Sequence, residues 1–196
     1  MVMKKLAFIL AISLVPMGTA LSASKTVKVE GKSYAPTINL EGKTLKLVGA
    51  GLREKWFFDV YTMGVYSESG KCDAKDLIDT DQVKYLRLDM LRDVSAEKMS
   101  STLAESFGKH MPNGASPKLK EQVKTFKGYF KDECKEGVVL EMYYVPGKGT
   151  IIKQDGKQLG PPLEGKDFGR ILFDIYFGKN TCCDDLIEQI MKTCKG

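Results

Sequence analysis

The sequence contains one histidine, His110, and none of its five cysteines forms a Cys-x-x-Cys pair. With so few ligand candidates and no ligand spacing, a metal site has nothing to be built from. A hydrolase triad is equally unsupported, since His110 sits in Gly108-Lys109-His110-Met111-Pro112 with no serine or cysteine elbow elsewhere. There is no block of basic charge. The cations alternate with acids, as in Glu54-Lys55, Lys75-Asp76 and Glu121…Lys124, so the concentrated face that phosphate backbones require is missing and a nucleic-acid partner is not expected. No cofactor fingerprint appears either. Gly147-Lys148-Gly149 lacks the strand–loop–helix setting of a phosphate loop and reads as a hairpin turn. Asp184-Asp185 reads as negative charge at a helix start rather than as a catalytic carboxylate pair.

The one long apolar run lies at the N-terminus. Lys4 and Lys5 precede Leu6 to Val15, Pro16 and Gly18 follow, and Ala20-Leu21-Ser22-Ala23 supplies small residues. That order is the order of an export signal, and its apolar core of about ten residues is half the length needed to span a bilayer. Residues 1–23 therefore read as a signal peptide and residues 24–196 as one domain, periplasmic or secreted after cleavage. No later stretch is long and apolar enough to span a membrane. The leader carries two of the formal charges in the total of +5, leaving the mature chain only mildly basic, with a solvated surface as the simplest reading.

An exported chain meets an oxidising compartment, so Cys72, Cys134, Cys182, Cys183 and Cys194 are disulfide candidates with one thiol left over. Cys183 and Cys194 are separated by a helical pattern that would hold their Cα atoms about 16 Å apart, whereas a disulfide tolerates at most about 7 Å. Cys194 can therefore join Cys182 or Cys183 only if the last helix ends early. Cys72 and Cys134, both in polar surroundings, form a further candidate pair.

Along the chain, residues 26–49 alternate apolar and polar side chains between glycine turns, as half-buried strands do. Trp56 to Tyr66 is aromatic and β-branched, the pattern of a strand buried on both faces. Val83 to Met90 places Tyr85, Arg87 and Asp89 opposite Leu86, Leu88 and Met90. Ser95 caps a helix carrying Met99, Leu103 and Phe107 on one face, and Pro117 opens another. Strands over 138–144, 150–153 and 157–159 follow, joined by Pro146-Gly147-Lys148-Gly149 and the Asp155-Gly156 hairpin signal. Helices over 167–177 and 184–192 close the chain, the latter after a Thr181 cap. This is α+β order.

Three stretches carry a family likeness. Gly49-Ala50-Gly51-Leu52-Arg53 with Phe57-Phe58-Asp59-Val60-Tyr61 and Val65-Tyr66 is the first. Arg92-Asp93-Val94-Ser95 at the start of a helix is the second. Pro146-Gly147-Lys148-Gly149-Thr150, continued by Asp155-Gly156-Lys157 and Asp167-Phe168 to Gly178, is the third. Together they resemble the chalcone isomerase-like family, in its bacterial exported branch, over nearly the whole mature chain. The resemblance implies an open-faced β-sandwich, a large antiparallel sheet covered by a helical layer. It also implies a cleft between sheet and helices with an arginine at the place of Arg53. In the plant ring-closing enzymes of the family that arginine steadies developing oxygen charge, assisted by a threonine and by a Tyr-x-x-Lys-x-x-x-Asn helix pattern. Another branch binds fatty acids without turnover. Here Tyr61 stands at the threonine's place and Ser95 at the tyrosine's; Lys98 is kept, and Thr102 replaces the asparagine.

The residues themselves favour binding. Arg53 offers a planar fork of donors that grips a carboxylate with two bonds, Tyr61 adds a hydroxyl, and Met63 and Met99 supply adaptable apolar wall. The expected protein is a non-catalytic binder of a fatty acid or similar small amphipathic carboxylate, held by Arg53, Tyr61, Lys98 and Thr102, with no cofactor. The alternatives are an intramolecular lyase or isomerase using Arg53 as electrophile, and a module that contacts an envelope partner. Arg53 pairing with Asp59 or Glu54 on the surface would remove its site role.

Overall fold

Short turns rich in left-handed backbone set the sheet. Glu41-Gly42 and Asp155-Gly156 each place two consecutive residues at positive φ, the geometry whose twist matches paired strands, and each closes an antiparallel hairpin. In a computed structural model, which describes residues 25–194, these hairpins belong to a seven-stranded sheet that follows chain order throughout. Its strands are β3 (Thr37–Leu40), β4 (Lys43–Lys55), β5 (Phe58–Ser67), β6 (Lys84–Met90), β7 (Val139–Val145), β8 (Gly149–Gln154) and β9 (Lys157–Gln158). A separate hairpin of β1 (Val27–Val29) and β2 (Lys32–Tyr34) precedes it. The expected signal peptide lies outside the described residues.

One face of the sheet is covered by helices. α1 (Ala74–Asp79) follows β5, α2 (Ala96–His110) and α3 (Pro117–Lys127) lie between β6 and β7, and α4 (Lys166–Phe177) and α5 (Asp184–Cys194) end the chain. Ser95 and Ser116 cap α2 and α3 through their side chains, and Pro117 occupies the first turn of α3. Both features satisfy or remove donors that would otherwise be orphaned. Met63, Val65, Leu86, Leu88, Leu140 and Met142 from the strands meet Leu103, Phe107, Phe126, Phe168 and Leu172 from the helices in one apolar core. Phe107 and Phe168 stack at its centre, with ring centroids 4.5 Å apart.

The other face holds a smaller apolar cluster that includes Leu45, Tyr66, Tyr85, Tyr143 and Ile151. The β1–β2 hairpin covers some of it, through Tyr34. The Tyr34 ring lies against Gly64, where a Cβ would collide with it. Its hydroxyl lies 2.6 Å from Thr62 Oγ1 and donates to Asp89 at 2.9 Å. Asp89 in turn accepts two bonds from Arg87, so the buried carboxylate is fully partnered.

α5 does something different: it packs beside β4. From Leu47 onward β4 has no strand on its outer side, because β3 pairs only as far as Lys46. The backbone groups of Ala50 and Leu52 point toward that gap. Gln189 accepts from the Leu52 N–H at 2.9 Å and turns its amide nitrogen to the Leu52 carbonyl at 3.5 Å. One helical turn later, Thr193 accepts from the Ala50 N–H at 3.0 Å and sits 3.1 Å from the Ala50 carbonyl. Two side chains four residues apart thus take the place of a neighbouring strand and blunt an edge. So close an approach requires bare backbone. A Cβ on Gly49 would strike the Ile190 carbonyl, and one on Gly51 would lie 2.9 Å from the Leu186 carbonyl.

One expectation is corrected. The aromatic run is not buried on both faces from Trp56 onward. β4 extends through Arg53 to Lys55, the chain turns at Trp56 and Phe57, and β5 becomes buried only from Thr62. The short helix α1 is capped by the Asp73 side chain. Among the described residues, no helix is long and apolar enough to cross a membrane.

The packing of α5 on β4 yields a paired test. Gly49→Ala should lower stability by about 1–3 kcal/mol, the usual cost of overpacking. Gly108→Ala, in α2 with nothing within 4 Å of the added methyl, should raise it by about 0.5–1 kcal/mol through helix propensity. Urea denaturation of the two variants measures both, and equal effects would contradict the packing described.

Candidate functional site

β4 and β5 carry the site because their register sets Arg53 opposite Tyr61. A register shift follows immediately, between Arg53 and Glu54, and such bulges re-aim side chains. The Arg53 guanidinium turns toward the loop between α4 and α5, where Nη2 donates to the Cys182 carbonyl at 3.4 Å and Nη1 donates to the Glu54 carbonyl. Neither contact is an ion pair, and among the described residues Arg53 forms none with Glu54 or Asp59. Two donors of the fork are taken by these carbonyls, and the guanidinium also lies beside the Tyr61 hydroxyl.

Tyr61 lies half-buried at the margin of the apolar core, its hydroxyl beside Arg53 and the buried Tyr176 of α4. Burial raises the pKa of both phenols by disfavouring the charged form. For Tyr61 this is opposed by the Tyr176 hydroxyl and the Arg53 charge. Tyr176 is pushed well up, with Tyr61 adding to its burial. Both hydroxyls are therefore protonated near neutrality. With Arg53, this sets two protonated phenols beside a positive charge.

Of the four residues read as ligand-binding, the structure brings together Arg53 and Tyr61. Lys98 and Thr102 are exposed on α2, and among the described residues neither side chain bonds to Arg53 or Tyr61. Met99, on the inner side of α2, is part-buried against the same core as Tyr61. Tyr176 was missed from the sequence. It sits in an apolar helical run that reads as plain core, although a buried tyrosine hydroxyl normally demands a partner. Two cavities, of about 460 Å³ and 290 Å³, lie elsewhere. The first is lined by His110, Asp174 and Arg170, the second by Lys84, Tyr144 and Arg170.

The cysteines frame the same region, in a pattern the sequence did not reveal. Cys72 pairs with Cys194, with Cα atoms 5.8 Å apart, and Cys182 pairs with its neighbour Cys183. The expected joining of Cys194 to Cys182 or Cys183 is overturned because α5 runs unbroken to Cys194, which keeps the two ends of the helix apart. The Cys72–Cys134 candidate fails as well. Cys134 is a buried free thiol whose backbone bridges to Val94 in both directions, and burial raises its pKa. The Cys72–Cys194 bond ties the end of α5 to the loop before α1, and so anchors the helix that blunts β4.

The comparisons with known proteins fit this architecture. The profile of the chalcone isomerase-like family matches residues 26–191. Among solved structures, a fatty-acid-binding protein of Arabidopsis thaliana superimposes with a TM-score of 0.70 at 19% identity, covering 87% of this chain and 97% of that one. No curated protein sequence matches the chain significantly.

Peptide mapping without reduction should recover Cys72 joined to Cys194, and alkylation should reach Cys134 only after unfolding. Cys72→Ser should cost about 2–4 kcal/mol by freeing a long loop in the unfolded chain. A Cys72–Cys134 peptide would contradict the structure.

Proposed function

Because the chain belongs to the chalcone isomerase-like family, we propose that it binds a fatty acid or similar small amphipathic carboxylate and does not turn it over. The observation that carries this reading is the donor set of Arg53, Tyr61 and Tyr176 at the margin of the apolar core. A carboxylate meets an arginine fork and a phenol proton, both in the protonation state that holds an anion. An aliphatic chain meets Met99, Ile187 and the core behind them. Lys98 and Thr102 enter as outer groups on α2, too exposed to contribute more than the little that solvent screening leaves to a surface charge. The likeness to a plant fatty-acid-binding protein supports the reading at the level of fold.

Arg53→Ala should weaken binding of a long-chain fatty acid by roughly 10- to 150-fold, since a hydrogen bond to a charged group contributes about 1.5–3 kcal/mol. Arg53→Lys should lose part of that affinity, because an ammonium cannot make the planar two-bond contact. Calorimetric titration beside a chalcone turnover assay checks this. Turnover that vanishes with Arg53 while affinity holds would instead support a lyase. Equal affinity without turnover would leave a partner-contacting module.

We propose further that the protein is exported, on the strength of Lys4, Lys5, the apolar run to Val15 and the small residues ending at Ala23. The product expressed with its own leader should lack roughly 20–24 N-terminal residues by intact mass. A full-length cytoplasmic product would contradict export.

A further inference from the structure

The tip of the β4–β5 hairpin violates two rules that the rest of the chain obeys. Trp56 is 85% exposed, Phe57 97% and Phe58 54%, and these are the exposed large hydrophobic residues among those described. Elsewhere the chain turns on Glu-Gly and Asp-Gly, but here Trp56 itself takes φ 62°, a left-handed backbone that is unusual for a bulky residue. The hairpin forgoes both favourable turn chemistry and burial: Trp56 and Phe57 lie beyond Lys55 and Phe58, the last paired residues, and Phe58 adds a third exposed ring.

Cations accompany the rings. The Arg92 guanidinium lies over the Phe58 ring, 4.5 Å from its centroid. Lys55 is paired with Phe58 across the hairpin, and its charge, with that of Lys98, reaches Glu105 on α2. Glu54 and Asp59 face one another one step further down the strands. A reader of the surface coming from outside therefore meets aromatics first and cations next.

Area and shape select the partner. Three aromatic side chains at these exposures offer roughly 500 Å² of surface, short of the roughly 800 Å² per partner that a stable protein interface needs. They form the apex of a hairpin, with no groove to receive a peptide. Indole and phenyl rings at an apex, backed by long cationic side chains that can reach outward, suit the boundary between lipid headgroups and acyl chains.

We propose that Trp56, Phe57 and Phe58 insert into the interfacial layer of a bilayer bearing anionic lipids, with Lys55 and Arg92 at headgroup level. Arg53 lies three residues below Trp56 on the same hairpin, about 10 Å along the strand. If the carboxylate-binding reading above holds, insertion sets that site at the membrane surface, where an amphipathic ligand can pass between bilayer and protein without crossing water. The insertion itself does not rest on that reading.

Trp56 is the only tryptophan, so its fluorescence reports the tip alone. Adding vesicles of phosphatidylcholine with phosphatidylglycerol should shift its emission to the blue, and pure phosphatidylcholine should do so more weakly. Phe57→Ser, which keeps the reporter, should lower partitioning at least about tenfold, as expected for withdrawing one aromatic ring from an apolar phase. Lys55→Gln with Arg92→Gln should abolish the preference for the anionic lipid. An unchanged spectrum with both vesicle types would overturn the proposal. So would partitioning that Phe57→Ser leaves intact, or a blue shift that appears without vesicles as protein concentration rises. Fatty-acid titration of Phe57→Ser in vesicle-free buffer keeps the two ideas separate. Normal fatty-acid affinity without vesicle binding in the wild type defeats only the membrane proposal. Vesicle binding without fatty-acid affinity defeats only the ligand reading.

Discussion

The hydrogen bonds from Gln189 and Thr193 to the backbone of Ala50 and Leu52 are the contact on which the site depends. A strand edge left open in water invites another chain to pair with it. Blunting it with a helix demands glycine at 49 and 51, because any side chain there would hold the helix off. The same contact fixes where the α4–α5 loop passes, and so brings the Cys182 carbonyl to Arg53. The Gly-Ala-Gly-Leu-Arg motif thereby acquires a mechanical meaning: two glycines admit the helix, and the arginine two residues on meets what the helix brings with it.

Electrostatics then gives the site its sign. Burial disfavours phenolate at Tyr61 and Tyr176, so both hydroxyls remain donors, and Arg53 supplies charge beside them. Two protonated phenols beside a guanidinium are the arrangement on which the proposed carboxylate binding rests.

Much of this was legible in the sequence. The Asp155-Gly156 turn, the Ser95 cap and the Pro117 helix start are local signals, settled within a few residues of each other, and the structure repeats them. The family motifs supplied the sheet, its helical layer and the place of Arg53. What escaped depends on positions distant in the chain. An aromatic run looks the same whether it fills a core or crowns a hairpin, so Trp56 and Phe57 were read as buried. The partners of Cys72 and Cys194 are 122 residues apart, and their meeting follows only from where α5 lies. Tyr176, Gln189 and Thr193 are ordinary helix residues until the strand they face is known.

An NMR titration of isotopically labelled protein with a long-chain fatty acid tests the central claim most directly, because it reads the edge contact and the site together. The account predicts the largest shifts at the Arg53 side chain and around Tyr61 and Tyr176, with the Ala50 and Leu52 amides protected from exchange both before and after binding. Shifts centred instead on the cavity lined by His110 and Arg170, or Ala50 and Leu52 amides exchanging as fast as those of an open strand edge, would contradict it.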